Sequence, residues 1–321
     1  MVKTESSYKH VSKFTKSINN NESKWQLMKS QKTYYMLLIP GAIALLIFSY
    51  LPMIGLIMSF QDYQVQNGFF GSEFVGLKHF KVFLQDPDFY NALKNTLGIS
   101  TLTIFFGFPA PIILALLLDN IKNVKLKKVT QTISYLPHFV SWVIVASLTY
   151  RMLDREGGII NLLLKALGQD AIGFMHKQEY FWFILIFVAI WKEIGWDSII
   201  YLASMSSIDP QLYDAAMVDG AGKFKQVVHI TLPSIFPTIS LMLILKIGTL
   251  LTVNFDAVFN LMNPLVLPAA EVIDTYVYRT GIQLGKYSYA TAIGFAQSTI
   301  SIILVFIALK AAKKVNGYSI I

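Results

Sequence analysis

Long apolar runs separated by short polar stretches dominate this chain. A bilayer hydrocarbon core of about 30 Å takes about 20 helical residues. Six runs approach or exceed that length: residues 34–60, 95–118, 132–150, 180–203, 234–255 and 288–309. The first, second and sixth carry no charge, the third carries only His138, the fourth carries Lys192, Glu193 and Asp197, and the fifth carries Lys246. Pro40, Pro52, Pro109, Pro111, Pro137 and Pro237 fall in or at the ends of these runs. Prolines are tolerated there because neighbouring helices and waters satisfy the freed carbonyls. The pattern predicts an all-α integral membrane protein with six transmembrane helices.

Two polar connections also predict structure. Residues 209–233 read DPQLYDAAMVDGAGKFKQVVHITLP. Asp209 is suited to cap a helix and Pro210 to begin one. A helix over 211–218 then meets Asp219-Gly220, where glycine admits a turn. A second helix over 223–230 is expected to end before Pro233, since the residue preceding proline is pushed out of the helical region. Between the first two spans, Phe69, Phe70, Phe74, Phe80, Phe83, Phe89 and Tyr90 alternate with polar residues. A short amphipathic helix is expected at 77–84, with packing as the simplest role for the aromatic side chains.

Composition agrees with the pattern. Length alone would suggest roughly two soluble domains, but the 321 residues are 54% hydrophobic and 14% charged. The absence of cysteine excludes disulfides, a catalytic thiol and S-palmitoylation. The formal charge of +8 could suit nucleic acid, so the placement of the 27 basic residues decides. With six spans, sixteen fall on the side of both termini, nine on the opposite side, and Lys192 and Lys246 inside spans. Positive residues favour the cytoplasmic side, so both termini and residues 209–233 are expected there. Juxtamembrane lysines suit anionic lipid headgroups rather than nucleic acid. The expected organisation is a cytoplasmic segment at 1–33, a six-span domain at 34–311 and a cytoplasmic tail at 312–321. The first 33 residues lack the apolar core of a cleavable signal.

Candidate chemistry is sparse. His10, His79, His138, His176 and His229 are dispersed, so no metal site is expected. Phosphate-cradling and nucleophile-elbow motifs are missing as well. Ionisable groups within a bilayer usually face a cavity or each other. Glu193, Trp196, Asp197 and Tyr201 share one helical stripe. Lys246 is expected to pair with Glu193, or with Asp197, across two helices. Carboxylates, amides and aromatic rings together suit sugar hydroxyls and C–H faces. Trp191, Glu193, Trp196, Asp197, Tyr201, Asn254 and Asp256 are therefore candidates for a solute pathway, with helix packing as the alternative role.

Asp214-Ala215-Ala216, Asp219-Gly220-Ala221 and Ile230-Thr231-Leu232-Pro233 together resemble the EAA loop of ABC-importer permeases, with Asp214 standing where Glu is usual. Residues 74–80, 91–97 and 134–139 resemble sugar-importer permeases of the MalF/UgpA type, and 157–161 look similar to the LplB-like group associated with complex oligosaccharides. The resemblance implies a type I ABC-importer permease in a bacterial plasma membrane, carrying no catalytic site. It implies a second homologous permease, two ATP-binding subunits and an extracytoplasmic solute-binding protein, with ATP and Mg in the ATPase and no cofactor in this chain. It assigns ATPase contact to Tyr213, Asp214, Ala215, Ala216, Asp219, Gly220 and Ala221. An importer of glycerol phosphodiesters or peptides, or a six-span membrane enzyme or signalling subunit, remains the alternative.

Overall fold

The computed structural model describes residues 32–316, with side chains through Lys314. Most of the expected segment 1–33, and the end of the expected tail, lie outside the described residues. The chain divides into two compact units, one ending at Ile57 and one beginning at Met58. From Lys32, the first unit is a single helical rod, part of α1 (Lys32–Phe60). Every contact described below lies within one unit, and all but the Leu51–Leu46 turn of α1 lie within the second.

After α1, strand β1 (Gln61–Asp62) pairs antiparallel with β2 (Glu73–Phe74). The short helix α2 (Lys78–Phe83) follows with His79 and Phe83 buried, matching the expected amphipathic segment. The long helices are α3 (Pro87–Asp119), the pair α4 (Val124–Phe139) and α5 (Trp142–Leu153), and then α7 (Gln178–Ser206), with the short α6 (Ile159–Ala166) before α7. Helix α8 (Pro210–Val218) leads to α9 (Lys223–Gly248). Three short helices, α10 (Phe255–Leu261), α11 (Leu267–Ala270) and α12 (Ile273–Tyr278), precede α13 (Tyr287–Lys314). Four of these, α1, α3, α9 and α13, are long and apolar enough to cross a membrane, or five with the bent pair α4–α5. Helix α7 also has the length, at 29 residues, and is distinguished by four charged residues, Glu179, Lys192, Glu193 and Asp197.

The prolines are absorbed by a local device. A proline ring collides with the carbonyl four residues back and offers no N–H. Just before Pro52, Leu51 donates its N–H to Leu46 O, five residues back. Phe108 before Pro109 does the same to Thr103, and Leu232 before Pro233 to Val227. Each is one wide π-turn, which moves the obstructing carbonyl aside while the helix continues. The expected stop before Pro233 is thereby overturned: α9 runs unbroken from Lys223 to Gly248.

Two expected spans also change shape. The run 132–150 is not one straight helix, because α4 and α5 are bent by 101° at their junction. Pro137 lies in the tight final turn Leu136–Phe139, Val140 is extended, and Ser141 caps α5 by accepting from the Ile144 N–H. The fifth run ends at Gly248 rather than 255, and Asn254 caps α10 by accepting from the Ala257 N–H.

Packing accounts for much of the aromatic stripe. The Phe80 ring lies 5.4 Å from Phe60 and 6.1 Å from Phe295 on α13, and Phe83 lies 4.8 Å from Phe89. A second core packs α7 on α10 and α11 through Phe181, Leu185, Val258, Leu261 and Ala270. A third, of Ala115, Leu118, Tyr201, Leu202, Met205 and Ile235, joins α3 to the ends of α7 and α9 that flank α8.

Candidate coupling loop and solute pathway

Helix α8 is fixed at both ends. The Asp209 carboxylate accepts from the Gln211 N–H at 2.9 Å, and Pro210 opens the helix. At the other end Gly220 has φ +74°, a region that side chains with a Cβ resist. The turn lets Gly220 N–H reach Met217 O at 3.1 Å and Ala221 N–H reach Ala216 O at 2.8 Å, closing the helix on its own last carbonyls. The Tyr213 and Thr231 hydroxyls bond at 2.9 Å, tying α8 to α9. Gln226 donates to Ala221 O at 3.0 Å, holding the intervening turn on α9. Ile208 and Leu232, on either side of α8, pack against the core at the foot of α7 and α9.

This anchoring leaves a defined outer face. Asp214, Ala215, Asp219 and Gly220 are exposed, while Tyr213, Ala216 and Ala221 are half-buried. Leu212, Met217, Val218 and Phe224 are also exposed, Val218 at 88% and Phe224 at 81%. An apolar face on a short, doubly anchored helix is suited to burial against a partner. The residues expected from the sequence, Tyr213, Asp214, Ala215, Ala216, Asp219, Gly220 and Ala221, do not include the exposed apolar Leu212, Met217, Val218 and Phe224. Their signal was available as apolar residues in a polar connection.

The second site lies along α7. Glu193 Oε2 lies 2.6 Å from His138 Nδ1, within hydrogen-bonding distance, and Lys192 Nζ stands 3.3 Å from its other oxygen. Lys192 is buried, donates to the His138 carbonyl, and lies 5.6 Å above the Trp142 ring. Trp196 stacks flat on His138, with centroids 4.3 Å apart and planes 3° from parallel. These contacts cross the α4–α5 bend. Gly195 makes the approach possible, because a Cβ there would lie 2.0 Å from the Ser134 carbonyl oxygen.

The expected Lys246–Glu193 pair is not formed. Glu193 is already held by His138 and Lys192, which the bend and the close α4–α7 crossing bring nearer. Lys246 and Glu193 instead border one cavity of about 160 Å³, together with Ser100, Thr103, Thr252 and Asn254. Lys246 also borders a second cavity of about 680 Å³ with Trp196, Asp197 and Tyr201. The structure thus groups Glu193, Trp196, Asp197, Tyr201 and Asn254 around two cavities that share Lys246 and Thr249. Trp191 and Asp256 are exposed and border neither.

Residues 107–316 match the family described as the binding-protein-dependent transport system inner membrane component. The chain belongs to this family. It is 46% identical to the polygalacturonan/rhamnogalacturonan transport system permease protein YteP of Bacillus subtilis (strain 168), over 88% of each chain. It is 45% identical to Protein LplB of the same strain, over 89% of this chain and 90% of that one. The crystal structure of a bacterial alginate ABC transporter in complex with alginate pentasaccharide-bound periplasmic protein contains a chain of 40% identity. That match has a TM-score of 0.85 and covers 93% of this chain and all of the other. The protein is a multi-pass bacterial membrane permease subunit of a transport system, not an enzyme.

In this permease the Asn91–Leu97 stretch, noted in the sequence only for its resemblance, has a structural role. Asn95 donates to Pro268 O and Glu271 O, both at 2.9 Å, and Asn91 donates to Pro268 O at 2.8 Å. Thr96 Oγ1 accepts from the Ile273 N–H at 2.9 Å. Trp182 donates to Ala269 O at 2.7 Å and fits against Gly98. Together they clamp the α11–α12 connection onto α3 and α7. Nearby, Asp86 accepts from the Tyr276 and Tyr289 hydroxyls, each at 2.7 Å. Arg279 grips Glu271 through two bonds of 2.6 and 2.9 Å, which holds its guanidinium charged above its usual range.

Proposed function

We propose that this permease forms half of the transmembrane pathway of an ATP-driven oligosaccharide importer. A second homologous permease supplies the other half, as a heterodimer. Two ATP-binding subunits dock at the cytoplasmic face through residues 209–233 and hold the ATP and Mg. An extracytoplasmic solute-binding protein delivers the solute. The six-span arrangement takes α1, α3, the bent α4–α5 pair, α7, α9 and α13 as spans, with both termini cytoplasmic. The sugar assignment draws on relatives named for polygalacturonan, rhamnogalacturonan and alginate.

The observation that carries the mechanical part is the exposed apolar face of α8 on rigid anchors. Helix α8 lies in the chain between α7, which carries Glu193, Trp196 and Asp197, and α9, which carries Lys246. The Tyr213–Thr231 bond and the packed core at its base make α8 a stiff link between the ends of those helices. Displacement of α8 by a closing ATPase pair is therefore transmitted along α7 and α9 to both cavities. In this scheme the faces of Tyr213, Asp214, Ala215, Ala216, Asp219, Gly220 and Ala221 meet the ATPase, extended by Met217, Val218 and Phe224.

Gly220→Pro tests the coupling. Proline holds φ near −65° and cannot adopt the +74° of this turn. The expected result is loss of uptake and of solute-stimulated ATPase activity in the reconstituted complex, with the helices still inserted. Wild-type coupling in that variant would refute the assignment of the loop. Wild-type uptake of a panel of oligosaccharides against peptides and glycerol phosphodiesters tests the solute class separately.

A further inference from the structure

Lys246 lies in the last turn of the predominantly apolar α9 and takes part in no ion pair among the described residues. It is exposed, and both cavities border it. Its apparent counter-ion, Glu193, is occupied by His138 and Lys192. Asp197 is within electrostatic range but makes no direct contact with it. A lysine in a membrane-spanning helix is costly and is retained where it meets a water-filled path or a ligand. Beside Glu193, the polar groups that border the smaller cavity with Lys246 are hydroxyls and an amide, Ser100, Thr103, Thr249, Thr252 and Asn254, set among apolar side chains such as Ile99, Leu185 and Val253. Such a surface complements a molecule that is rich in hydroxyls and carries a negative charge.

We propose that Lys246 is a specificity-determining residue of the pathway, pairing with the ring carboxylate of a uronic-acid unit as an acidic oligosaccharide passes between the two cavities. The proposal rests on the reading of this permease as an oligosaccharide importer. Lys246 offsets the one charge of a uronate, whereas a phosphate monoester dianion keeps one charge uncompensated beside Glu193 and Asp197, which border the same path. This favours a uronate over a phosphorylated sugar. The nearby Ser, Thr and Asn side chains take the sugar hydroxyls, and the lysine reads the charge.

The test uses the complete importer, permease pair, ATPases and binding protein, in proteoliposomes. Uptake of uronide oligosaccharides is compared with uptake of the same oligosaccharides after carboxyl reduction. Because one binding protein serves every variant, a change in the ratio of the two rates reports the membrane pathway. Lys246→Met is expected to lower the uronide-to-neutral ratio about tenfold, the scale of a lost charge-assisted hydrogen bond. Lys246→Arg is expected to keep most of the ratio. Retention of labelled uronide by the importer without binding protein should fall in parallel. Co-purification of the ATPases with each variant checks assembly. An unchanged ratio in Lys246→Met, or an equal fall for both solutes, overturns the role of Lys246. If the wild type moves neutral oligosaccharides and ignores uronides, the inference fails while the sugar reading stands. If it moves no oligosaccharide, both fail.

Discussion

Gly195→Ala probes the tightest site for an added Cβ among the described glycines. The added Cβ would stand 2.0 Å from the Ser134 carbonyl oxygen, 2.4 Å from its carbon and 2.9 Å from the Tyr135 nitrogen. All three are backbone atoms, so no side chain can rotate away. Ordinary van der Waals contact begins near 3.4 Å, and α4 and α7 must therefore part by about 1.4 Å locally. Overpacking of this kind costs about 1–3 kcal/mol. The same displacement would stretch the 2.6 Å His138–Glu193 contact past hydrogen-bonding distance and open the 4.3 Å stack of Trp196 on His138. Thermal melting of the solubilised complex and uptake in proteoliposomes are the assays. The expected outcome is a lowered melting temperature together with lost uptake. Gly294, where an added Cβ meets nothing within 4 Å, supplies the comparison, and Gly294→Ala should melt like wild type. Wild-type melting and uptake for Gly195→Ala would refute the claim that close approach at this glycine builds the α4–α7 cluster.

Asn95→Ala should release the α11–α12 connection by removing the amide that serves Pro268 O and Glu271 O, at a cost of about 1–3 kcal/mol. The chain has no native cysteine, so single cysteines at 267–273 can report the release as faster thiol labelling; unchanged labelling would count against the clamp. Asp86 gives a pH prediction. Burial pushes its pKa up, but bonds from Tyr289, Tyr276 and the Asp88 and Phe89 amides outweigh this and hold it below the ordinary 3.8. A carboxylate held below its unfolded value adds stability that is fully present above pH 3.8 and is lost as pH falls through the lower folded value. Asp86→Asn should remove that contribution and flatten the melting temperature of the solubilised protein between neutral pH and pH 3.8 and below, and an unchanged slope would refute it.

Membrane residence and the loop between α7 and α9 were legible from the chain alone. Long apolar runs leave the backbone no choice but to satisfy its own hydrogen bonds as helix. At the loop, Asp209-Pro210 and Gly220 act through local backbone chemistry, which needs no distant partner to be read. The tertiary structure decided matters in which distant segments compete. Pro233 looked like a helix end, yet a single π-turn at Val227–Thr231 carries the helix through it. The run 132–150 looked like one span, yet Pro137 and Ser141 divide it into helices bent by 101°. That bend, with Gly195 admitting α4 to α7, delivers His138 to Glu193. Helical periodicity placed Glu193 and Lys192 on α7 correctly, but which side chain from another helix reached Glu193 depended on how closely the helices cross. Lys246 was left facing the cavities for that reason. A charge in a helix is legible from sequence; its partner is set by how closely the backbones approach, and here a missing methyl group on Gly195 sets that distance.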